Sequence, residues 1–313
     1  MSETSPADRD IPFDASAAQP MAAPRVIPLD ERALIAVAGP DAEHFLHNLL
    51  TADIAGLESG KGTLAALLTP QGKIIADFLV FDASDEEPLY LIDISRGFVD
   101  DFLTKLGLYR LRAKVAIDLL PEPTAVYVVL DGPPITGDDF YTFVDPRDPG
   151  LGQRLYGPLT SLQDATCHIK SDKPFFFHTR RVALGIPEGG KDFIALDSYP
   201  HEVNFDQLGG VDFSKGCYIG QEIVSRMQHR GTARTRAVLV RFLNGFGVTG
   251  GAEIRAGDRL IGHVGECFGD AGIALLRLDK LADAQAAGDA ILAGGVAVAI
   301  SAPLYASFTI PHM

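Results

Sequence analysis

Lys215-Gly-Cys-Tyr-Ile-Gly-Gln-Glu222 is the stretch of this 313-residue chain that says most about its fold and function. Two glycines bracket a thiol and an aromatic ring, and the residues from Gln221 to Met227 then have the pattern of a helix. A glycine turn that leads into a helix exposes free backbone N–H groups at the positive end of the helix dipole. The stretch therefore predicts an anion-binding site with a thiol beside it.

The charge of the chain changes around this stretch. Between Lys215 and Arg241 six residues are Lys or Arg and one, Glu222, is acidic, so the segment carries +5. The whole chain has 27 basic and 41 acidic residues and a formal charge of −14, which leaves −19 for the rest. Arg226 and Arg230 can bind a carboxylate or phosphate, whereas a solvated basic face, with Glu222 paired to Arg226, is the alternative. Because the basic stretch is short, we expect a small anion and no direct binding of long nucleic acid.

Cys217 has two open interpretations. Lys215 and the helix end both favour the thiolate form, which would make a functional thiol, whereas a packed small residue is the alternative. The other cysteines, Cys167 and Cys267, lie far from it in the sequence. Three separated cysteines make no disulfide framework, zinc ribbon or four-thiolate cluster. We therefore expect no metal site within the chain and a reducing compartment.

The remaining sequence mixes helices and strands without strict alternation, which predicts an α+β fold. Residues 1–25 lack the apolar core of a secretory signal and contain too many acids for a mitochondrial presequence, so we expect a disordered tail. Apolar runs joined by Pro70-Gln71-Gly72 predict a hairpin within residues 26–236. Residues 237–313 have short β-like runs between Gly-rich turns, typical of a small β-barrel, and their uncharged end is interpreted as buried strands and not as a membrane span.

The octapeptide, followed by Arg226 and Arg230-Gly231, closely resembles the signature of the YgfZ-type folate-binding proteins. That family is related to the T-protein of the glycine cleavage system, an aminomethyltransferase. Weaker matches in the same order extend the resemblance over most of the chain after the tail. These matches are Phe45-Leu46, Thr51-Ala-Asp53, Gln71-Gly72-Lys73, Arg181 with Gly185-Ile-Pro187, and Leu208-Gly-Gly-Val-Asp-Phe213.

The resemblance implies three lobes around a central channel, with two interleaved α+β lobes in residues 26–236 and a C-terminal β-barrel in residues 237–313. It implies tetrahydrofolate or a one-carbon derivative as the bound cofactor. It also implies a role in assembling or repairing iron–sulfur clusters in a subset of enzymes, including those that modify tRNA. The expected partners are iron–sulfur enzymes or cluster-assembly proteins. Eukaryotic relatives are mitochondrial, but the acidic residues of the N-terminal tail favour a bacterial cytoplasm as the location. A folate-dependent aminomethyltransferase is the alternative, although an accessory factor that is not a conventional enzyme is favoured.

The chain departs from the T-protein pattern at its folate contacts. An acidic pair of T-proteins corresponds here to Ala76 and Asp77, and a Tyr-Gly-x-Glu turn corresponds to Gly189-Gly190-Lys191-Asp192. The Asn of the next strand corresponds to Asp93. The resemblance therefore implies altered folate contacts and makes methylene transfer doubtful, while a solvated strand residue or a turn carboxylate is the alternative for Asp77 or Asp192. The candidate folate-binding residues are Asp77, Asp93, Asp192, Arg226 and Arg230, and the signature residues are Lys215, Gly216, Cys217, Tyr218, Gly220, Gln221, Glu222 and Arg226, with Cys217 and Lys215 as candidate catalytic residues.

Overall fold

The fold is described from a computed structural model of the chain, which covers residue 20, residues 23–231 and residues 233–310. The expected tail at residues 1–25 lies outside the described residues except at positions 20 and 23–25. The disorder expected there stays a prediction.

Strands and α-helices of the described residues are numbered in chain order. The strands are β1 (Arg25–Pro28), β2 (Arg32–Ala38), β3 (Gly62–Leu68), β4 (Ile74–Asp82), β5 (Leu89–Ser95), β6 (Ala116–Leu119), β7 (Thr124–Leu130), β8 (Tyr141–Val144), β9 (Gln153–Pro158), β10 (Lys170–Ser171), β11 (Thr235–Phe242), β12 (Glu253–Ala256), β13 (Arg259–Phe268), β14 (Ala271–Arg277), β15 (Ile291–Ala293) and β16 (Val296–Ser301). The α-helices are α1 (Ala42–Leu49), α2 (Val99–Arg110), α3 (Leu159–Thr166), α4 (Pro174–Ala183), α5 (Gln221–Arg230) and α6 (Leu278–Ala287).

The first sheet is antiparallel and has the strand order β3-β4-β5-β2-β6. Along β4, Phe78 and Val80 pack with α1 and α2, while Leu79 and Phe81 belong to the core shared with the second sheet. Successive strand residues point to opposite faces, so a strand covered on both faces buries every residue, as all of β4 does. The predicted hairpin is confirmed, since β3 and β4 pair from Gly62 opposite Phe81 to Leu68 opposite Ile74.

The second sheet has the strand order β10-β1-β7-β9-β8, in which only the β1–β10 pair is parallel among the described strands. Helix α3 packs on this sheet through Leu162, in a core that includes Tyr127 and Leu155. Helix α4 lies between this sheet and the C-terminal strands, because it contacts β1 on one side and both β13 and β14 on the other.

The six C-terminal strands form a closed barrel in the order β11-β14-β13-β12-β15-β16, which pairing of β16 with β11 completes. The predicted α+β class with a C-terminal β-barrel is therefore confirmed, and helix α6 between β14 and β15 is an element that the sequence pattern did not predict. The barrel begins at Thr235, close to the boundary expected after residue 236, while the division into domains itself stays a prediction. Of the helices in the described part of the chain, none is long and apolar enough to cross a membrane.

Candidate functional site

The segment of residues 212–222, called the signature segment below, is fixed to helix α1 by Lys215. The Lys215 Nζ donates hydrogen bonds to the carbonyl oxygens of Leu50 at 2.8 Å, Ala52 at 2.7 Å and His47 at 2.5 Å. These carbonyls lie at or just beyond the end of α1, where a cation interacts favourably with the helix dipole. Lys215 is thus committed to anchoring the segment.

Burial lowers the pKa of Lys215 to about 8, even though the carboxylates of Asp53 and Asp212 favour its charged form. Asp212 accepts hydrogen bonds from the backbone N–H groups of Ser214 at 2.6 Å and Lys215 at 2.9 Å. The Thr51 hydroxyl also donates a hydrogen bond to the Gly210 carbonyl at 2.6 Å, which holds the residues just before the signature segment. The Thr51-Ala-Asp53 motif and the signature segment therefore form one folded unit.

Cys217 is exposed, and it lies in a turn whose shape depends on glycine. Gly220 has a φ of +81°, and a Cβ there would lie 2.6 Å from the Thr69 carbonyl oxygen and 3.0 Å from the Gly72 Cα. No side chain fits between this turn and the β3–β4 hairpin. Gly216 has open space around it, so a partner molecule can approach the thiol from that side.

Tyr218 is buried beside the exposed thiol. Its ring lies 5.3 Å from the Lys215 Nζ, a cation–π distance. Its hydroxyl is buried without a hydrogen-bond partner among the described residues. An unsatisfied hydroxyl of this kind costs about 1–3 kcal/mol, so the segment is not optimised for stability alone.

Helix α5 places Arg226 and Arg230 on the surface. Arg226 forms a 2.6 Å ion pair with Glu222, one helical turn away, which matches the alternative considered for this pair. Arg230 is exposed near the end of the helix. The three candidate aspartates are instead buried, so the structure divides the predicted folate-binding residues into a surface group and an interior group.

The interior group belongs to a set of buried charged residues, called the junction cluster below. These residues lie where the two sheets, helix α4 and the barrel meet. Its members are Arg32, Asp77, Asp93, Asp145, Arg147, Arg154, Arg181, Glu188 and Asp192.

Asp93 ties the two sheets together. Its carboxylate accepts hydrogen bonds from Arg32 Nε of β2 at 2.6 Å and from the Tyr156 hydroxyl of β9 at 2.7 Å, and it pairs with Arg154 of β9. Burial opposes its ionisation, but the charges of Arg32 and Arg154 outweigh burial and lower the Asp93 pKa. Asp145 pairs with Arg154 at 2.9 Å from the other side, which continues the network.

Asp192 ties helix α4 to the barrel. Its oxygens pair with Arg181 of α4 and accept hydrogen bonds from the backbone N–H groups of Glu188 and Glu266, each at 2.9 Å. Arg181 in turn contacts the Glu266 carboxylate of β13 at 2.6 Å. Every polar atom of the Asp192 carboxylate thus has a partner within the protein.

Asp77 differs from the other aspartates of the junction cluster because it forms no ion pair among the described residues. It accepts one long hydrogen bond, 3.3 Å from the Gly189 N–H. Burial and the neighbouring charge of Glu188 raise the Asp77 pKa. A Cβ at Gly189 would lie 2.1 Å from Asp77 Oδ1, so the Gly189-Gly190 turn leaves room for this carboxyl. Asp77 is the member of the junction cluster best able to exchange a proton or hydrogen bond with a polar ligand.

Sequence reasoning missed Arg32, Arg154 and Glu188 as parts of this site. Arg32 and Arg154 stand in largely buried strands, which was the available signal, since a charge in a buried strand requires a partner. The spacing could not identify that partner, because Arg32 and Asp93 are 61 residues apart. No group of three or more His, Cys, Asp or Glu side chains in the described ranges could hold a metal ion.

Comparisons with known proteins agree with this architecture. Residues 26–115 match the GCVT N-terminal domain, and residues 234–308 match the CAF17 C-terminal beta-barrel domain. The chain is 31% identical to the human mitochondrial iron–sulfur cluster assembly factor IBA57, over 81% of this chain and 77% of that protein. It is 33% identical to the mitochondrial IBA57 homolog of Neurospora crassa, over 66% of this chain. The match spans about half of the Neurospora protein, 51% of its length.

A solved structure with the same fold is the glycine cleavage system aminomethyltransferase T from Bartonella henselae. The TM-score is 0.68, the alignment covers 95% of this chain and 90% of that chain, and the sequence identity is 14%. This likeness confirms the T-protein-like arrangement.

The bacterial cytoplasm expected from the N-terminal residues is wrong by these comparisons. The matched relatives from Homo sapiens, Neurospora crassa and Dictyostelium discoideum are all named as mitochondrial proteins. The composition of residues 1–25 was therefore a poor guide to location.

Proposed function

The chain belongs to the IBA57 family of iron–sulfur cluster assembly factors, and on that premise we propose that it helps to build or repair iron–sulfur clusters in a subset of enzymes. Its partners in this proposal are the recipient enzymes or the proteins that assemble the cluster. The exposed Cys217 on its fixed turn carries the proposal. Thiolate is a ligand that iron–sulfur chemistry prefers, and an exposed thiol beside two glycines is open to a partner protein.

We further propose that the junction cluster binds tetrahydrofolate or a one-carbon derivative, as the resemblance to YgfZ-type proteins implies. Asp77 is the favoured contact, because its carboxyl is buried and has one weak internal partner. A carboxyl that holds its proton more tightly than usual can both donate to and accept from a pterin ring. Asp93 and Asp192 have internal partners for their oxygens, so their proposed role is to hold the walls of the folate site.

Enzymes that modify tRNA are among the proposed recipients, again from the resemblance. The aminomethyltransferase alternative has the common fold as its support. The acidic pair of T-proteins is reduced here to Asp77, because Ala76 occupies the other position. We therefore expect no ammonia release from an aminomethylated lipoyl carrier at ordinary enzymatic rates.

The test is complementation in cells whose own member of this family has been deleted. The wild-type chain should restore an iron–sulfur enzyme activity and the tRNA modifications that depend on such enzymes, measured by nucleoside mass spectrometry. Cys217→Ser should fail, while Cys167→Ser, which changes another exposed thiol, should complement. Full complementation by Cys217→Ser would overturn the role of the thiol, and no complementation by the wild-type chain would overturn the assembly function in that host.

A further inference from the structure

A cleft of about 570 Å³ opens beside the signature segment. One wall is the 209–214 stretch that leads into the segment, and the opposite wall is the loop around Asp53 and the start of β3. The side chains that matter for its chemistry are Asp53, Leu57, Val211, Asp212, Phe213 and Ser214. No function discussed so far uses this cleft.

The cleft is negatively charged. Asp53 and Asp212 line it, and no Lys or Arg is among its described lining residues. The nearby Lys215 ammonium donates to carbonyls at and just beyond the end of α1, and its charge offsets part of the charge of the two carboxylates. Burial opposes ionisation of Asp212, but hydrogen bonds from Ser214 and Lys215 outweigh it and lower the Asp212 pKa, so this wall stays charged at neutral pH.

The cleft also has an aromatic and aliphatic surface. Phe213 is 38% exposed, so part of its ring is open to a ligand in the cleft. Leu57 and Val211 line the same space. A planar cation on an aliphatic stem fits this combination, because the stem packs on the apolar wall, the cation stacks on the ring and the carboxylates accept its N–H groups.

We propose that this cleft binds an arginine side chain of the iron–sulfur protein that the chain serves, and so docks that protein next to Cys217. The inference rests on the proposed function and adds the recognition element to it. Cys217 is five positions after Asp212, a span of at most about 18 Å even when extended. A protein held at the cleft is therefore within reach of the thiol. A neutral or acidic side chain would lose the contacts with both carboxylates, so the cleft selects a basic segment of the partner.

The probe is the pentapeptide acetyl-Gly-Leu-Arg-Leu-Gly-amide, with the citrulline peptide as its neutral counterpart. Each is titrated into the full chain labelled with ¹⁵N and ²H, and backbone amide shifts are recorded. We expect the arginine peptide to shift the amides of residues 53–57 and 209–214 in a saturable way. We expect the citrulline peptide to bind at least tenfold more weakly.

Two variants test the walls separately. Asp53→Asn and Phe213→Ala should each weaken the arginine peptide at least fivefold, with the amide spectrum elsewhere unchanged as evidence of folding. Asp283→Asn removes an exposed carboxylate on the barrel helix α6, outside the cleft, and should leave binding unchanged. Equal binding of the two peptides, shifts confined to other residues, or full binding by Asp53→Asn and Phe213→Ala would overturn the docking inference.

The Cys217→Ser variant separates this inference from the proposed function. It should bind the arginine peptide like wild type, because the thiol does not line the cleft. If the peptide fails to bind while Cys217→Ser still abolishes complementation, the docking inference falls and the assembly function stands. If the peptide binds as expected while Cys217→Ser complements, the thiol mechanism falls and the cleft stands as a binding site.

Discussion

The signature segment and the junction cluster are built on opposite principles. In the junction cluster Asp93, Asp145 and Asp192 each have internal partners. The Arg154–Asp93 and Arg181–Glu266 ion pairs connect one structural unit to the next. In the signature segment the backbone is fixed by Lys215, yet the thiol of Cys217 is left exposed. The contrast indicates that side chains with complete internal bonding hold the fold together. Functional roles are instead expected for side chains whose bonding is incomplete.

Asp77 is the exception within the junction cluster, because it shares one property with each region. It has the burial of the cluster but the incomplete bonding of the signature segment. If the contrast holds, changing an ion-paired member of the cluster should cost stability, and changing Asp77 or Cys217 should cost function.

Of the two regions, the junction cluster should lose more stability when the pH falls. The pKa values of Asp93, Asp145 and Glu188 are lowered in the folded chain, because arginine charges outweigh the effect of burial. The unfolded chain therefore binds more protons than the folded chain as pH falls below about 4.5, and stability is lost with falling pH. Asp77 and Asp192, whose pKa values are raised chiefly by burial, act in the opposite direction.

Urea unfolding midpoints measured from pH 7 to pH 3 check this. We expect a steep fall of the midpoint below about pH 4.5, where the paired carboxylates begin to protonate. A smaller loss should begin below about pH 6.5, because burial lowers the pKa of His201 and its neutral form is the folded one. His201→Gln should remove the earlier loss and leave the later one. A midpoint that stays constant down to pH 3 would contradict the assignment.

Arg154→Met should be the most destabilising single change. It leaves Asp93 and Asp145 short of a buried partner, and breaking a buried pair in this way typically costs about 3–5 kcal/mol. The control is Arg226→Met, which breaks the exposed pair with Glu222 and should cost about 0.3–0.5 kcal/mol. Urea unfolding at pH 7 measures both, and equal costs for the two variants would erase the distinction between the regions.

Asp77→Asn should reverse the pattern of Arg154→Met. Because the fold raises the Asp77 pKa, it favours the neutral carboxyl, and an amide of the same shape should leave stability at pH 7 unchanged or higher. The variant should instead have a weaker affinity for folate. Calorimetry under anaerobic conditions should give the wild-type chain micromolar affinity for tetrahydrofolate, about −8 kcal/mol.

The Asp77→Asn variant should lose about 0.5–1.5 kcal/mol of that binding free energy, the value of a hydrogen bond between neutral groups. Asp283→Asn serves as the matched control on the barrel surface and should bind like wild type. No saturable heat with the wild-type chain at high micromolar concentration would remove the folate proposal, and unchanged affinity in Asp77→Asn would remove this residue from the site.

The sequence predicted the local parts of this molecule better than its long-range pairs. The β3–β4 hairpin and the barrel strands follow from short apolar runs separated by turn residues, a signal that acts over a few positions. Helix α6 was missed because its apolar positions are mostly alanine, which gives a weak pattern. The T-protein-like arrangement came from the resemblance and not from periodicity.

The candidate site was predicted unevenly for the same reason. The octapeptide identified the signature segment because its glycines, lysine and thiol are adjacent in sequence. The partners of Asp93 and Asp192 come from other elements, so their internal bonding could not be predicted from spacing. Folate contact by these two residues, and by Arg226 and Arg230, stays a prediction.

Cys217→Ser should have a small effect on stability, at most about 1 kcal/mol, because an exposed thiol makes few packing contacts. The sharper measurement is competitive labelling with iodoacetamide near neutral pH, read by mass spectrometry. Cys167 is an exposed thiol like Cys217, so a faster rate at Cys217 reports activation by its surroundings. Cys267 should be slowest, because burial raises its pKa to about 11. If Cys217 labels no faster than Cys167, nearby helix α5 and Lys215 do not activate the thiol, and the signature segment differs from the junction cluster in exposure alone.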